Sequence, residues 1–220
     1  MNCLAYDADV ENPEFEEYHV TSKHRVQVLN FLDVGEAKQF FTALDQQHPE
    51  VTLLDMPGAS GKQTREQIQK FGLFQIAKQL GYRTTIATVL NNAYNTVNSL
   101  DIMLDFCGEN ADYVVVKSQL WNQGSLTFDR WQQSQTRTKF QQLKGIEIEM
   151  PVLELTSFDA LHEESISFFE REQLSFGDRI LVDSFLDLSQ PQLKAASAYF
   201  GITAAPEKKL TSTTKAETKA

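Results

Sequence analysis

Short apolar runs alternate with longer amphipathic stretches along most of the chain. This rhythm is typical of β–α units that build a parallel sheet, because strands buried on both faces are joined by crossover helices. The pattern therefore predicts an α/β fold with a mostly parallel sheet flanked by helices. The predicted strands are Cys3–Tyr6, Val26–Phe31, Val51–Leu54, Thr84–Val89, Tyr113–Val116 and Ile146–Met150.

The stretches between these runs carry apolar residues at spacings of three and four, which predicts helices. They are Glu36–Gln47, Thr64–Leu80, Thr96–Cys107 and Leu126–Leu143. Residues 158–200 are predicted to be helix-rich, with an interruption at Gly177-Asp178 and a new helix beginning at Gln190-Pro191. From Ala204 the composition is too polar to form a core, which predicts a single domain over 1–203 and a disordered tail over 204–220.

Composition and charge narrow the classes of function. The chain of 220 residues has 41% hydrophobic residues and a formal net charge of −10. An acidic protein is repelled by phosphate backbones, so DNA remains a partner only through a local basic face such as that of Leu126–Leu143. Cys3 and Cys107 form no Cys-x-x-Cys pair, and no apolar run reaches the roughly 20 residues of a membrane helix. These features favour a cytoplasmic location.

The first candidate site follows the first predicted strand, in the segment Tyr6-Asp7-Ala8-Asp9. Ligands of open parallel sheets bind beyond the carboxyl ends of the strands, so two carboxylates there could meet a magnesium–phosphate group. Aspartate after a strand is also common in turns and helix caps. Both interpretations stay open from this motif alone.

The second candidate is the apolar strand that ends in Asp55-Met56-Pro57-Gly58. An aspartate in this position has the layout of a Walker-B residue, whose carboxylate holds magnesium or its water while the following loop approaches the γ-phosphate. The alternative is a turn at the end of a strand, since Pro-Gly is common in turns.

Together, Asp7-Ala8-Asp9 and Asp55-Met56-Pro57-Gly58 resemble the ParA/MinD-like ATPases, and in particular their plasmid- and conjugation-associated branch. The resemblance covers about residues 1–155. It implies a P-loop NTPase-like fold of the ParA type, ATP and Mg²⁺ as cofactors, and a homodimer or a partner protein. It further implies catalytic roles for Asp9 and Asp55, a metal-binding role for Asp55, and nucleotide contacts from Asp7, Pro57, Gly58, Lys117 and Pro151.

One part of the family pattern is missing from this sequence. The family has a strand and a glycine-rich phosphate loop before the strand that we place at Cys3–Tyr6, where only two residues precede it. The segment Gly58–Thr64 matches the loop pattern only at Gly61-Lys62, because Met56 occupies the first glycine position and Gln63 replaces the magnesium-binding hydroxyl. We expect a loop that enters the helix Thr64–Leu80, in which Lys62 is either a solvated charge or a replacement contact to phosphate. We expect either a truncated ATPase or a degenerate relative, and we expect no appreciable ATPase activity from this chain.

Two functions therefore remain open. The first is a ParA/MinD-like nucleotide-binding protein linked to plasmid or conjugative-element maintenance. The second is a non-catalytic interaction module that keeps the ATPase fold.

Overall fold

The computed structural model of the protein describes residues 1–20, 22–91, 94–120 and 127–202. Its strands are β1 (Cys3–Asp7), β2 (Gln27–Val28), β3 (Val51–Asp55), β4 (Thr85–Leu90), β5 (Asp112–Ser118) and β6 (Ile146–Met150). Five of the six predicted strands lie close to these bounds. The exception is Val26–Phe31, of which only two residues form the strand β2. That run is short because Asn30 already caps a turn, accepting a hydrogen bond from the Leu32 N–H.

The strands form two parallel sheets of three strands each, in the orders β2-β1-β3 and β4-β5-β6. The predicted α/β class and parallel pairing are thus confirmed. The prediction of one sheet is not, since the described residues form no ladder between β3 and β4.

The helices lie between the strands in chain order. They are α1 (Glu14–Glu17), α2 (Val34–Gln47), α3 (Gly61–Phe71), α4 (Leu73–Gln79), α5 (Tyr94–Cys107), α6 (Asp129–Gln132), α7 (Gln135–Gln142), α8 (Leu155–Glu163) and α9 (Phe176–Ala195), with 3₁₀ turns at Gly108–Asn110 and Phe168–Gln173. Asp33 caps α2 by accepting hydrogen bonds from the N–H groups of Gly35 and Glu36, which fixes where the helix begins.

Each sheet has its own core. In the first, Tyr6 on β1 packs edge-on against Phe40 of α2, and Phe31 packs against the same ring. In the second, Val115 of β5 packs with Trp131 and other side chains of the helices above it. Aromatic rings take part in both cores beside aliphatic side chains, as expected for a chain with 15 Phe.

The predicted helix Thr64–Leu80 is wrong in one respect, because it is broken at Gly72. Gly72 takes a left-handed conformation with φ 64°, which ends α3 at Phe71, and α4 begins at the next residue. Glycine adopts this conformation without a Cβ clash, so the break lies where the sequence has its only glycine inside the run. Similarly, the predicted helix Leu126–Leu143 is two short helices, α6 and α7, and residues 121–126 lie outside the described residues.

The predicted boundaries within α9 are also wrong. Pro191 does not begin a new helix but lies inside α9, and Gly177-Asp178 forms the first turn of this helix rather than an interruption. Asp178 fits there because the Ser175 hydroxyl caps its backbone N–H and donates to its side chain at 2.6 Å. Among the described residues, no helix has the length and apolar character needed to cross a membrane. The predicted tail, 204–220, lies outside them.

Candidate functional site

The structure brings Asp7 and Asp55 together at the carboxyl ends of β1 and β3. The two strands are neighbours in one parallel ladder, and Asp7 is the register partner of Asp55. Just beyond the ladder, the Ala8 N–H donates to the Asp55 carbonyl at 2.8 Å. Asp9 lies two residues after Asp7, so three acidic residues share this end of the sheet.

Asp7 is almost completely buried, with 1% of its surface exposed. Its Oδ1 accepts a hydrogen bond from the Asp9 N–H at 2.9 Å, and its Oδ2 accepts one from the Glu16 N–H at 3.1 Å. Both carboxylate oxygens therefore hold the loop between β1 and α1. A buried charge is stable in such a place because backbone donors replace its water.

Asp9 organises the turn that follows. Its Oδ1 accepts hydrogen bonds from the backbone N–H groups of Glu11 at 3.3 Å and Asn12 at 3.2 Å. This is the turn chemistry that short aspartate side chains favour. The arrangement positions the Asp9 carboxylate beside the strand end and leaves its second oxygen without a hydrogen bond to a described residue.

Asp55 is the exposed member of the three. Partial burial of its carboxyl raises its pKa above the ordinary value of 3.8, and the nearby charges of Asp7 and then Asp9 raise the pKa further. A hydrogen bond from the Met56 N–H acts in the opposite direction. A carboxyl crowded by two others gains most from a cation that neutralises the group.

The loop after β3 is a tight turn into α3. The Pro57 carbonyl accepts from both the Ser60 hydroxyl at 2.7 Å and the Ser60 N–H at 3.3 Å. A Cβ added to Gly58 would meet nothing within 4 Å, so this side of the loop is open. The Lys62 ammonium is exposed, 3.9 Å from the Glu66 carboxylate. Pro57 and Gly58 thus lie beside Asp55 in the chain, but the turn offers no cradle of converging cations.

Lys117 and Pro151 lie at the carboxyl ends of β5 and β6 in the second sheet. The Lys117 ammonium is 2.8 Å from Glu149 and 3.5 Å from Glu147, and it lies 5.8 Å from the centre of the Phe128 ring. These partners neutralise its charge and fix its position. Next to Pro151, the Met150 carbonyl accepts from the Gln119 N–H at 3.0 Å.

The arrangement does not form a metal site made by the protein alone. In the part of the chain that the structure describes, no three His, Cys, Asp or Glu side chains are grouped so as to hold a metal ion. Asp7 and Asp9 commit oxygens to backbone donors, which leaves Asp55 as the freest ligand. Mg²⁺ is often held by one or two carboxylates and completes its shell with phosphate and water, so these residues would supply only part of its ligands.

Sequence reasoning missed two features of this region. The first is the hydrogen bond that the Glu16 N–H donates to the Asp7 carboxylate, which depends on how the loop folds back over the strand. The second is the ion-pair group around Glu147, where Arg137 Nε lies 2.7 Å from one carboxylate oxygen and Lys117 lies near the other. The alternation of Glu147 and Glu149 along β6 with apolar residues between them was the signal available for the second feature.

Fold and site together define the class as an α/β protein with parallel sheets and an acidic rim at the carboxyl ends of β1 and β3. No family model matches the chain, and comparison with curated proteins and with solved structures found no match either.

Proposed function

We propose that this protein is a ParA/MinD-like nucleotide-binding protein, linked to plasmid or conjugative-element maintenance, that binds a magnesium–nucleotide complex at the rim of β1 and β3. The observation that carries the proposal is the register pairing of Asp7 with Asp55, with Asp9 in the following turn. Parallel sheets bind ligands beyond the carboxyl ends of their strands, which is where these residues lie.

The three aspartates have different tasks in this proposal. Asp55, exposed and with its pKa raised by its neighbours, is the residue that contacts the magnesium shell. Asp7 holds the loop through its two backbone hydrogen bonds, and Asp9 adds negative charge beside the cation. The magnesium ion, when bound, neutralises charge on the phosphates and on this rim.

Weak binding without appreciable hydrolysis is the expected behaviour of this chain. Phosphoryl transfer depends on donors that converge on the phosphates. Among the described residues near the strand ends, Lys117 is neutralised by Glu147 and Glu149, and Lys62 extends into solvent. A nucleotide at the rim would therefore be held mainly through its metal ion.

Titration of a fluorescent ATP analogue into the protein, with and without Mg²⁺, tests the proposal. We expect weak, magnesium-dependent binding that falls at least tenfold in Asp55→Asn. Asp45→Asn on α2 is the matched control, because it removes an exposed carboxylate from the same half of the chain. Binding that ignores Mg²⁺, or equal binding by Asp55→Asn and the parent protein, would refute the proposal.

An interaction module is the second candidate function. It is favoured by large apolar side chains left exposed on α8 and α9, among them Leu155, Phe176 and Leu188. Several large exposed apolar side chains on neighbouring helices would suit a site that binds another protein if they form one patch. Complete absence of magnesium–nucleotide binding in the parent protein, with fold and stability intact, would favour this candidate over the first.

A further inference from the structure

Two strands that follow one another in the chain each have one edge that no described residue pairs with. Within the described ranges, β3 pairs with β1 and β4 pairs with β5, each on one side. β3 and β4 are joined through α3 and α4, the β–α–β connection that ordinarily places two strands in one sheet. An unpaired edge presents a row of backbone donors and acceptors that can pair with another strand.

The amino-terminal ends of β3 and β4 are held near each other by the turn that follows α9. The Thr85 hydroxyl at the start of β4 donates to the Tyr199 carbonyl at 2.6 Å. Two residues later, Gly201 approaches Val51 at the start of β3 so closely that an added Cβ would lie 3.3 Å from Val51 Cγ2. The starts of β3 and β4 therefore lie beside the same turn.

The hydrogen-bond pattern identifies the backbone groups on the unpaired edge of β3. The Val51 N–H donates to the Asn2 carbonyl and the Asp55 carbonyl accepts from Ala8, so these residues direct their polar groups toward β1. Successive residues of a strand direct N–H and C=O groups to opposite sides. Thr52 and Leu54 must then direct theirs away from β1.

The same alternation applies to β4. The Thr84 carbonyl accepts from the Asp112 N–H of β5, so Ile86 and Thr88 also direct their polar groups toward β5. Ala87 and Val89 direct theirs to the opposite side. The two edges thus offer N–H and C=O groups at 52 and 54 on β3, and at 87 and 89 on β4.

Apolar side chains beside these edges lack the cover that parallel strands usually have. Leu53 is 49% exposed and Val89 is 63% exposed, although both lie inside their strands. Strands of parallel sheets are ordinarily buried on both faces. The uncovered surface is therefore apolar and is bordered by backbone groups that no described residue pairs with, a combination that suits an extended apolar peptide.

We propose that the space between β3 and β4 is a docking slot for an apolar β-strand of a partner polypeptide, which pairs with both edges and joins the two sheets. The strand runs parallel to β3 and β4 and carries a cation near its carboxyl end, because that end meets the acidic rim of Asp7, Asp9 and Asp55. This inference does not depend on nucleotide binding.

The capped peptide Asp-Tyr-Val-Val-Val-Lys-Ser is a suitable probe. It repeats the sequence of β5, which pairs in parallel on both of its edges within this protein and has its lysine near the carboxyl end. Amide hydrogen exchange followed by NMR measures directly whether the N–H groups on the two edges are hydrogen-bonded. In the free protein, the N–H groups of Ala87 and Val89 should exchange faster than those of Ile86 and Thr88, and the peptide should slow exchange at 52, 54, 87 and 89.

Two controls make the test specific. Val89→Lys places a charge beside the slot and should weaken peptide binding at least tenfold. Val28→Lys places the same charge at an exposed valine on β2, away from the slot, and should change the peptide affinity less than twofold. A peptide with its aspartate and lysine exchanged should bind more weakly than the probe.

Slower exchange at the four amides that is lost in Val89→Lys would support the slot. The proposal is overturned if the peptide leaves these amides unchanged, or if protection appears only on β2 or β6. It is also overturned if the four amides are protected without peptide in a dimer, since a second copy would then fill the space.

Discussion

Asp7 and Asp55 face each other in register, yet their replacement by asparagine should change stability in opposite directions. Asp7 is buried and accepts two backbone hydrogen bonds, whereas Asp55 is exposed and crowded by like charges. Comparing the two substitutions therefore tests whether Asp7 is a structural residue that holds the loop between β1 and α1.

Asp7→Asn keeps one acceptor oxygen and turns the other into an amide that donates. The amide then faces the N–H of either Asp9 or Glu16, so one of two hydrogen bonds is lost and a buried donor is left without an acceptor. Hydrogen bonds to a charged group contribute about 1.5–3 kcal/mol, and an unsatisfied buried group costs about 1–3 kcal/mol. Relief of the repulsion with Asp55 offsets part of this loss, and we expect the free energy of unfolding to fall by about 2–4 kcal/mol.

Asp55→Asn should have the opposite sign. The raised pKa means that folded Asp55 binds its proton more tightly than the unfolded chain does, so its ionisation lowers stability as pH rises from 3.8 through the raised pKa. Removing this carboxyl should raise the free energy of unfolding at pH 7 by less than about 1 kcal/mol, because the group is exposed. The gain should disappear below about pH 4.

Urea denaturation at pH 7, followed by tryptophan fluorescence and circular dichroism, measures both effects. If Asp7→Asn is as stable as the parent protein, the carboxylate does not hold the loop and the structural role assigned to Asp7 is wrong. Asp45→Asn serves as the surface control and should change the free energy of unfolding by less than about 0.5 kcal/mol.

Two further predictions concern the rest of the fold. Gly145→Ala should lower stability by about 1–3 kcal/mol, because its Cβ would overlap the buried ring of Phe140, and thermal denaturation against Gly58→Ala, where a Cβ meets nothing, checks this. Burial lowers the pKa of His19, whose ring packs against Phe169, so the protein should lose stability as pH falls below about 6.5. His19→Phe should reduce that loss between pH 7 and pH 5 in melting experiments, and an unchanged pH profile would contradict the assignment.

The strands were predictable from sequence because each is a short apolar run between turn signals. Ile146–Met150 was predicted with its observed bounds, and β3 extends one residue beyond the predicted Val51–Leu54. The same pattern predicts that Asp7 and Asp55 each lie at the end of a strand, but the pairing of these two strands is read from the structure. The separation into two sheets did not follow, because sequence periodicity reports which runs are strands and not which edges pair.

The helix boundaries were less predictable where glycine and proline allow two outcomes. Gly72 and Gly81 are both suited to follow a helix, and the sequence alone does not indicate that α3 ends at Phe71, just before Gly72. Pro191 is favoured at the first turn of a helix, but it also fits inside α9 at the loss of one backbone hydrogen bond. In the candidate site, the partners of Asp9 are local and could be foreseen from turn chemistry, whereas those of Lys117 come from β6 and required the fold.

The turn after α9 has a consequence for how the protein is made. Val51 and Thr85 belong to the first half of the chain, yet the contacts that hold their strand ends together come from Gly201 and Tyr199. During synthesis, each sheet can form on the ribosome as its own strands emerge, but the two cannot be fastened at this point until about the two-hundredth residue has left the exit tunnel. Until then the two sheets are joined through α3 and α4, and the strand ends at Val51 and Thr85 lack the turn that later holds them near each other.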